Sequence, residues 1–334
     1  MLSTNNKIKA IQIDVNGFCN AGCWYCPVSY LGNPKSSILD MPLDTLENIL
    51  SQLNAGKSDF VDENLSLIFT AHYNEVLLYK NLKEMLELYK KYNFKINILS
   101  NGVALTKDKV DLLNEYKDII NEVLLNIPSA NPELWASYVN MNKGLFKKVV
   151  DNVLYAKETL TGFAENYKLR IMVNGLNNKS ILDNGGWVEI LNNAPKLDLD
   201  INNGSLAKEV SDLTVLFPGI TVFENYHLYD RAGHLEDLKI IGQSKAINKY
   251  LDSNNKKVVG CSGGLFVRDR TKDWLHINPN GDMFMCCDDF SFETIYENIN
   301  NKTLKEIWLG QNRKDMIDKA RETICKRCSA AIWE

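Results

Sequence analysis

Three cysteines, Cys19, Cys23 and Cys26, stand at C-x3-C-x2-C spacing in one short stretch. A closed zinc site needs four ligands and commonly pairs its cysteines as CxxC. Three thiolates on one loop instead suit three irons of a four-iron, four-sulfur cluster, whose full ligation takes four. One iron then keeps an open coordination position, the feature that separates a reactive metal site from a structural one. Just upstream, Ile11, Ile13 and Val15 alternate with Gln12 and Asp14, so a β-strand leads into the loop.

Five more cysteines, Cys261, Cys286, Cys287, Cys325 and Cys328, gather in the last quarter of the 334-residue chain. The opening residues 1–9 are polar and lack the apolar core of a secretory signal, and no apolar run reaches membrane-spanning length. A cytoplasmic location with no membrane partner is expected. In that reducing compartment eight cysteines read as metal ligands rather than disulfides. The net charge of −4 and pI near 5.7 argue against nucleic acid as a partner, because phosphate binding wants a basic face. The length allows one large domain and a smaller appendage.

Strand and helix patterns alternate behind the first cysteine loop. Helical spacing is carried by Leu43, Leu46, Ile49, Leu50 and Leu53, by Leu82, Met85, Leu86 and Tyr89, by Val110 and Leu113, and by the run 145–160. Asn131-Pro132 is a cap-then-proline helix start. Gly185-Gly186 precedes a further helix around Trp187. Short apolar strands are predicted at 65–69, 94–99, 123–127, 169–173 and 197–201, the last being the sixth, with one more around Val222 and Phe223. Such alternation means parallel βα units.

The cysteine loop after a first strand, with the aromatic Tyr25 directly before the third cysteine, resembles the radical S-adenosylmethionine (radical SAM) superfamily. The resemblance implies an α/β fold, a partial (β/α)6 TIM-like barrel with active groups at the C-terminal strand ends. It implies an open iron that chelates the amino and carboxylate groups of S-adenosylmethionine. Reductive cleavage then gives a 5′-deoxyadenosyl radical, fed by an external one-electron reductant such as flavodoxin or ferredoxin. After the second strand, Asn74-Glu75-Val76 stands where many members carry Gly-Glu-Pro, so Glu75, with Asn74, is expected to meet the cofactor's ammonium. After the third, Ser100-Asn101-Gly102 is similar to the family's Asn-Gly turn, which makes Asn101 a cofactor contact. After the fourth and fifth, Asn126 is expected at the ribose hydroxyls and Asn174 at the carboxylate. Arg170 shares the parity of Asn174. The segment 225–234 resembles the family's Asn-Arg-x-Gly run and places Arg231 as a donor to substrate.

Gly281-x4-Cys286, with Cys261 upstream and Cys325-x2-Cys328 downstream, resembles the SPASM and Twitch cluster domains of the same superfamily. A full SPASM domain holds two auxiliary clusters. Here Cys261, Cys286, Cys325 and Cys328 serve one, a Twitch-like arrangement, although four cysteines would satisfy zinc too. Cys287 is left over, as a core cysteine, a hydrogen-atom donor or a substitute ligand. The expected layout is a barrel at 1–202, a connecting segment with the substrate loop at 203–257, and an auxiliary cluster domain at 258–334 that includes a hairpin around Asn278-Pro279-Asn280-Gly281.

Two 4Fe-4S clusters and S-adenosylmethionine are therefore the expected cofactors. An auxiliary cluster that takes an electron from the substrate radical favours oxidation of a sugar or aminocyclitol. The lack of a peptide-recognition domain before residue 8 points the same way. The alternatives are a maturase that crosslinks a short peptide, an epimerase using Cys287, and, outside this class, a non-catalytic iron–sulfur or zinc protein.

Overall fold

The structure is a computed structural model that describes residues 7–23, 26, 40–70, 74–174, 206–225, 232, 256–262, 269–328 and 330–334. The side chains of residues 174, 206, 207 and 225 lie outside that description. So do Tyr25, Arg231 and the elements expected around 187–191 and 197–201.

Six strands form the barrel wall: β1 (Ala10–Ile13), β2 (Leu67–Thr70), β3 (Lys95–Ser100), β4 (Ile120–Asn126), β5 (Leu169–Asn174) and β6 (Thr221–Asn225). Each pairs in parallel with the next. The strand beside β5 opposite β4 is thus Thr221–Asn225, not the stretch 197–201 expected as the sixth. Helices α1 (Leu43–Ala55), α2 (Leu82–Lys91), α3 (Lys107–Glu115), α4 (Pro132–Val139), α5 (Leu145–Thr159) and α6 (Leu206–Leu216) connect the strands. Asn131 caps α4 by accepting from the backbone N–H groups of Glu133 and Leu134, and Pro132 needs no partner at the first helical position.

Alternation fixes which side chains point where. Ile68, Ile96, Ile98, Val123, Leu125, Ile171 and Val173 join one buried core with the apolar stripes of the helices, such as Leu46, Ile49, Leu50 and Leu53 of α1. Each such side chain contributes about 1.5–3 kcal/mol on burial. Successive strand residues face opposite ways, so Phe69, Asn97, Glu122, Asn126, Arg170 and Met172 take the other, barrel-interior face.

The C-terminal part does not stand apart from this sheet. After β7 (Val258–Cys261) and the single turn α7 (Arg270–Asp273), β8 (Trp274–Ile277) pairs in parallel with β1, Ile11 against Leu275 and Gln12 against His276. The expected hairpin follows: Asn278 accepts at its side-chain oxygen from the backbone N–H groups of Asn280 and Asp282, and Gly281 turns at φ +84°. β9 (Asp282–Phe284) and β10 (Glu297–Asn298) extend the sheet antiparallel, giving the order β10-β9-β8-β1-β2-β3-β4-β5-β6. α8 (Leu304–Leu309) opens on a Thr303–Glu306 capping box, and α9 (Gln311–Glu322) leads to β11 (Ala331–Trp333), which pairs with β7. Among the described residues no helix is long and apolar enough to cross a membrane.

Candidate functional site

The loop holding Cys19, Cys23 and Cys26 leaves the C-terminal end of β1 and is pinned by backbone contacts. The Glu75 N–H donates to Phe18 O at 3.0 Å, and the Gly22 N–H donates to Val139 O at 2.9 Å. A Cβ on Gly22 would come within 3.1 Å of the Asn140 side-chain amide, so this approach to the end of α4 is close. The Cys26 N–H donates to Cys23 O at 3.0 Å. All three cysteines are half-buried and none is in a disulfide. Burial pushes the Cys19 thiol up to about 12, against the pull of the Ala21 N–H. Glu75 and Cys26 push it in the same direction as burial. The Ala21 N–H points at the Cys19 sulfur at 3.5 Å and Asn101 Nδ2 at 3.8 Å. A pinned loop that carries three thiols, with N–H donors turned to one sulfur, fits iron in place of the thiol proton.

Glu75 sits behind this loop, only 2% exposed. One carboxylate oxygen accepts from the Asn101 N–H at 2.9 Å and from the Ser100 hydroxyl at 3.1 Å; the other accepts from the Leu77 N–H at 3.4 Å. Burial pushes its pKa up to about 7, against those three hydrogen bonds. Glu75 therefore clamps the end of β2 to the end of β3 and leaves little acceptor capacity for an outside ammonium. Asn74 donates to Asn16 Oδ1 at 2.7 Å, and Asn16 donates back to Glu75 O at 3.1 Å. Asn101 also donates to Asn20 Oδ1 at 2.7 Å, so Asn74, Glu75 and Asn101 all bear on the cysteine loop. In Glu75→Gln the amide oxygen still accepts from Asn101 and Ser100. That variant is expected to keep near-native stability while weakening S-adenosylmethionine binding through loss of charge. Glu75→Ala orphans all three donors and is expected to cost about 1–3 kcal/mol for each. Thermal denaturation and calorimetry check this: an unchanged melting temperature in the alanine variant removes the clamp, and unchanged affinity in the glutamine variant removes the cofactor role.

On the barrel-interior face Glu122 accepts from Arg170 in an ion pair, and the guanidinium lies 4.9 Å from the centre of the Phe223 ring. Asn121 donates to Asn97 Oδ1 at 2.7 Å beside it. Asn126 is on the same face, opposite Met172 in register.

The second cysteine group closes on itself. One cavity is lined by Cys261, Cys286, Cys325 and Cys328, and Cys287 is not part of its lining. Burial pushes the Cys325 thiol up to about 12, helped by the nearby thiols of Cys286 and Cys261. The β7–β11 pair carries Cys261 opposite Ala331, and a 3-10 turn, Ile324–Arg327, brings Cys325 and Cys328 under them. The Ala330 N–H points at the Cys328 sulfur and the Asp288 N–H at the Cys286 sulfur, each at 3.4 Å. Four converging thiols with two N–H···S contacts fit a metal centre ligated on all sides. The Cys286 and Cys287 thiols and the Asp288 carboxylate lie within 4.8 Å of one another. A hydrogen bond from Cys287 holds the Cys286 thiol below its usual range, and the same bond raises Cys287.

The two cysteine sites are neighbours through aromatic residues. Cys26 packs against Phe284, Phe290 and Phe292, from the strand and loop that carry Cys286. Sequence reasoning missed Asn16, Arg270 and Asp288. Asn16 lies only three residues before Cys19, a position that hinted at its part in the loop, whereas the Arg270–Asp288 ion pair has no local signal.

The chain matches the Radical SAM superfamily over residues 13–184, just over half its length, and an iron–sulfur cluster-binding domain (SPASM) over residues 269–329. The S-adenosyl-L-methionine-dependent 2-deoxy-scyllo-inosamine dehydrogenase of Niallia circulans is 33% identical over 109 residues, spanning 31% of this chain and 40% of that relative's length. BtrN, solved in complex with AdoMet and 2-DOIA, superposes with a TM-score of 0.56 at 18% identity, over 98% of this chain and 92% of BtrN. SuiB of Streptococcus suis, solved bound to the precursor peptide SuiA, superposes with a TM-score of 0.60 at 13% identity, over 98% of this chain and 70% of SuiB. At these identities the two structures speak for the fold.

Proposed function

The chain belongs to the radical SAM superfamily, and on that premise we propose that it oxidises a small polar substrate, a sugar or aminocyclitol, by hydrogen abstraction followed by one-electron transfer. When bound, the iron–sulfur cluster at Cys19, Cys23 and Cys26 supplies the electron that splits S-adenosylmethionine to a hydrogen-abstracting 5′-deoxyadenosyl radical. The chain's own residues orient and enclose. Glu75, Asn101 and Asn16 hold the cysteine loop. The Arg170–Glu122 pair over Phe223 offers a rigid donor fork, a carboxylate and an apolar ring to a hydroxyl- or amine-bearing ring.

The observation that carries the oxidative reading is the cavity where Cys261, Cys286, Cys325 and Cys328 converge. A centre ligated on every side has no position for substrate and is suited to electron transfer. Held by these four cysteines, an iron–sulfur cluster would supply an acceptor for the one electron that a hydroxyl-bearing carbon radical loses, with its hydroxyl proton, in becoming a carbonyl. The dehydrogenase from Niallia circulans, by its name, acts on an aminocyclitol, which supports this substrate class. Reconstituted, reduced protein given S-adenosylmethionine and a panel of aminocyclitols and sugars is expected to release 5′-deoxyadenosine and a carbonyl product in equal amounts. Product formed only from short peptides would replace this reading.

A further inference from the structure

We propose that Arg270 is a positioning residue that raises the reduction potential of the centre held by Cys261, Cys286, Cys325 and Cys328. The inference rests on the reading of those cysteines as ligands of an iron–sulfur cluster. Arg270 lines the same cavity as the four thiols and is only 6% exposed. Its Nη1 donates to Asp288 Oδ2 at 2.9 Å and lies 4.0 Å from the Cys286 sulfur.

A guanidinium is costly to bury without a partner, and Asp288 supplies one. The pair is neutral as a whole: Nη1 lies 4.0 Å from the Cys286 sulfur, and the Asp288 carboxylate lies within 4.8 Å of it. The backbone that carries Arg270 is held from two sides. Asp269 caps α7 by accepting from the Thr271 N–H at 3.0 Å. Arg313, only 1% exposed and stacked 3.5 Å from the Trp308 ring centre, donates to Thr271 O at 3.0 Å and Lys272 O at 2.9 Å. Arg313 and the Asp269 cap thus hold the turn of backbone that carries Arg270.

A cluster bound by four thiolates becomes more negative by one charge when it accepts an electron. In a low-dielectric cavity a fixed cation beside a ligand sulfur favours that reduced state. N–H···S contacts from Asp288 and Ala330 act in the same sense. Arg270 therefore makes the centre a better acceptor for the electron of a substrate radical, and Asp288 limits the effect.

The test uses the full chain with Cys19, Cys23 and Cys26 changed to alanine, so that only this centre remains. Iron and sulfide are counted, and the midpoint potential is read by optical titration. Arg270→Gln is expected to lower the equilibrium constant for one-electron reduction by about tenfold, a fall of about 59 mV. Arg270→Lys is expected to keep most of the parent value, and Asp288→Asn to raise it. An Arg270→Gln protein with full iron and the parent potential overturns the proposal while the cluster reading stands. If that variant holds no iron, Asp288→Asn decides, and a potential that does not rise overturns the proposal. A parent without iron and sulfide overturns both.

Discussion

Changing Cys19, Cys23 and Cys26 together to alanine is expected to abolish reductive cleavage of S-adenosylmethionine. Nothing else in the described structure supplies three thiols beside the C-terminal end of β1, so the loss is complete rather than graded. Anaerobically reconstituted wild-type protein with dithionite should release 5′-deoxyadenosine, and the triple variant should release none above the protein-free control. The loop's fold does not depend on the sulfurs, because Gly22, Phe18 and Glu75 hold it through backbone contacts. The variant should therefore stay folded, and its circular dichroism should match wild type. Cleavage at the wild-type rate without these cysteines would end the assignment of this loop.

The second large effect lies at the other cysteine site. Cys328→Ala is expected to remove one whole cluster, about four irons and four sulfides per chain, from the wild-type complement. The effect reaches beyond the metal. Cys325 and Cys328 close the cavity from the turn after α9, and Cys261 closes it from β7, so ligation ties the chain end to the hairpin region. Metal binding there is coupled to folding, and the variant should melt earlier than wild type. Cys287→Ala should leave the iron count unchanged, because Cys287 does not line the cavity. Iron loss in the Cys287 variant would exchange the roles of the adjacent pair. Zinc without sulfide in the wild type would sink the cluster and the oxidative outcome with it.

Local pattern was enough to find β1 to β5, their helices, the Asn278–Gly281 hairpin turn and both groups of cysteines, because each has its own periodicity, turn residues or spacing. Partner choice was not. Leu197, Leu199 and Ile201 alternate cleanly, yet the neighbour of β5 is Thr221–Asn225, whose strand pattern is weaker. Alternation reports a half-buried strand and says nothing of what lies beside it. The pairing of β8 with β1 joins residues more than 250 positions apart and leaves no local trace. The same holds for the clamp that Glu75 forms with Asn101 and Ser100, and for Arg270 beside Cys286. Each depends on strand ends or turns that come together only in the assembled sheet. Tyr25, Arg231 and the side chain of Asn174, expected at the cofactor or substrate, lie outside the described residues.

The parallel seam between β1 and β8 sets how far the two halves can be treated as separate parts. Lys9 and Asp14 donate their backbone N–H groups to Asp273 and Ile277 across it, and all of β1 is buried. A fragment ending before residue 258 would leave β1 as a bare sheet edge, with its backbone donors and acceptors open to any other chain. Such an edge is an invitation to intermolecular strand pairing. The barrel half is therefore no minimal enzyme to be expressed alone. Partial proteolysis within the C-terminal half should precipitate the remainder, because the sheet that joins the two halves should unfold as a single cooperative unit.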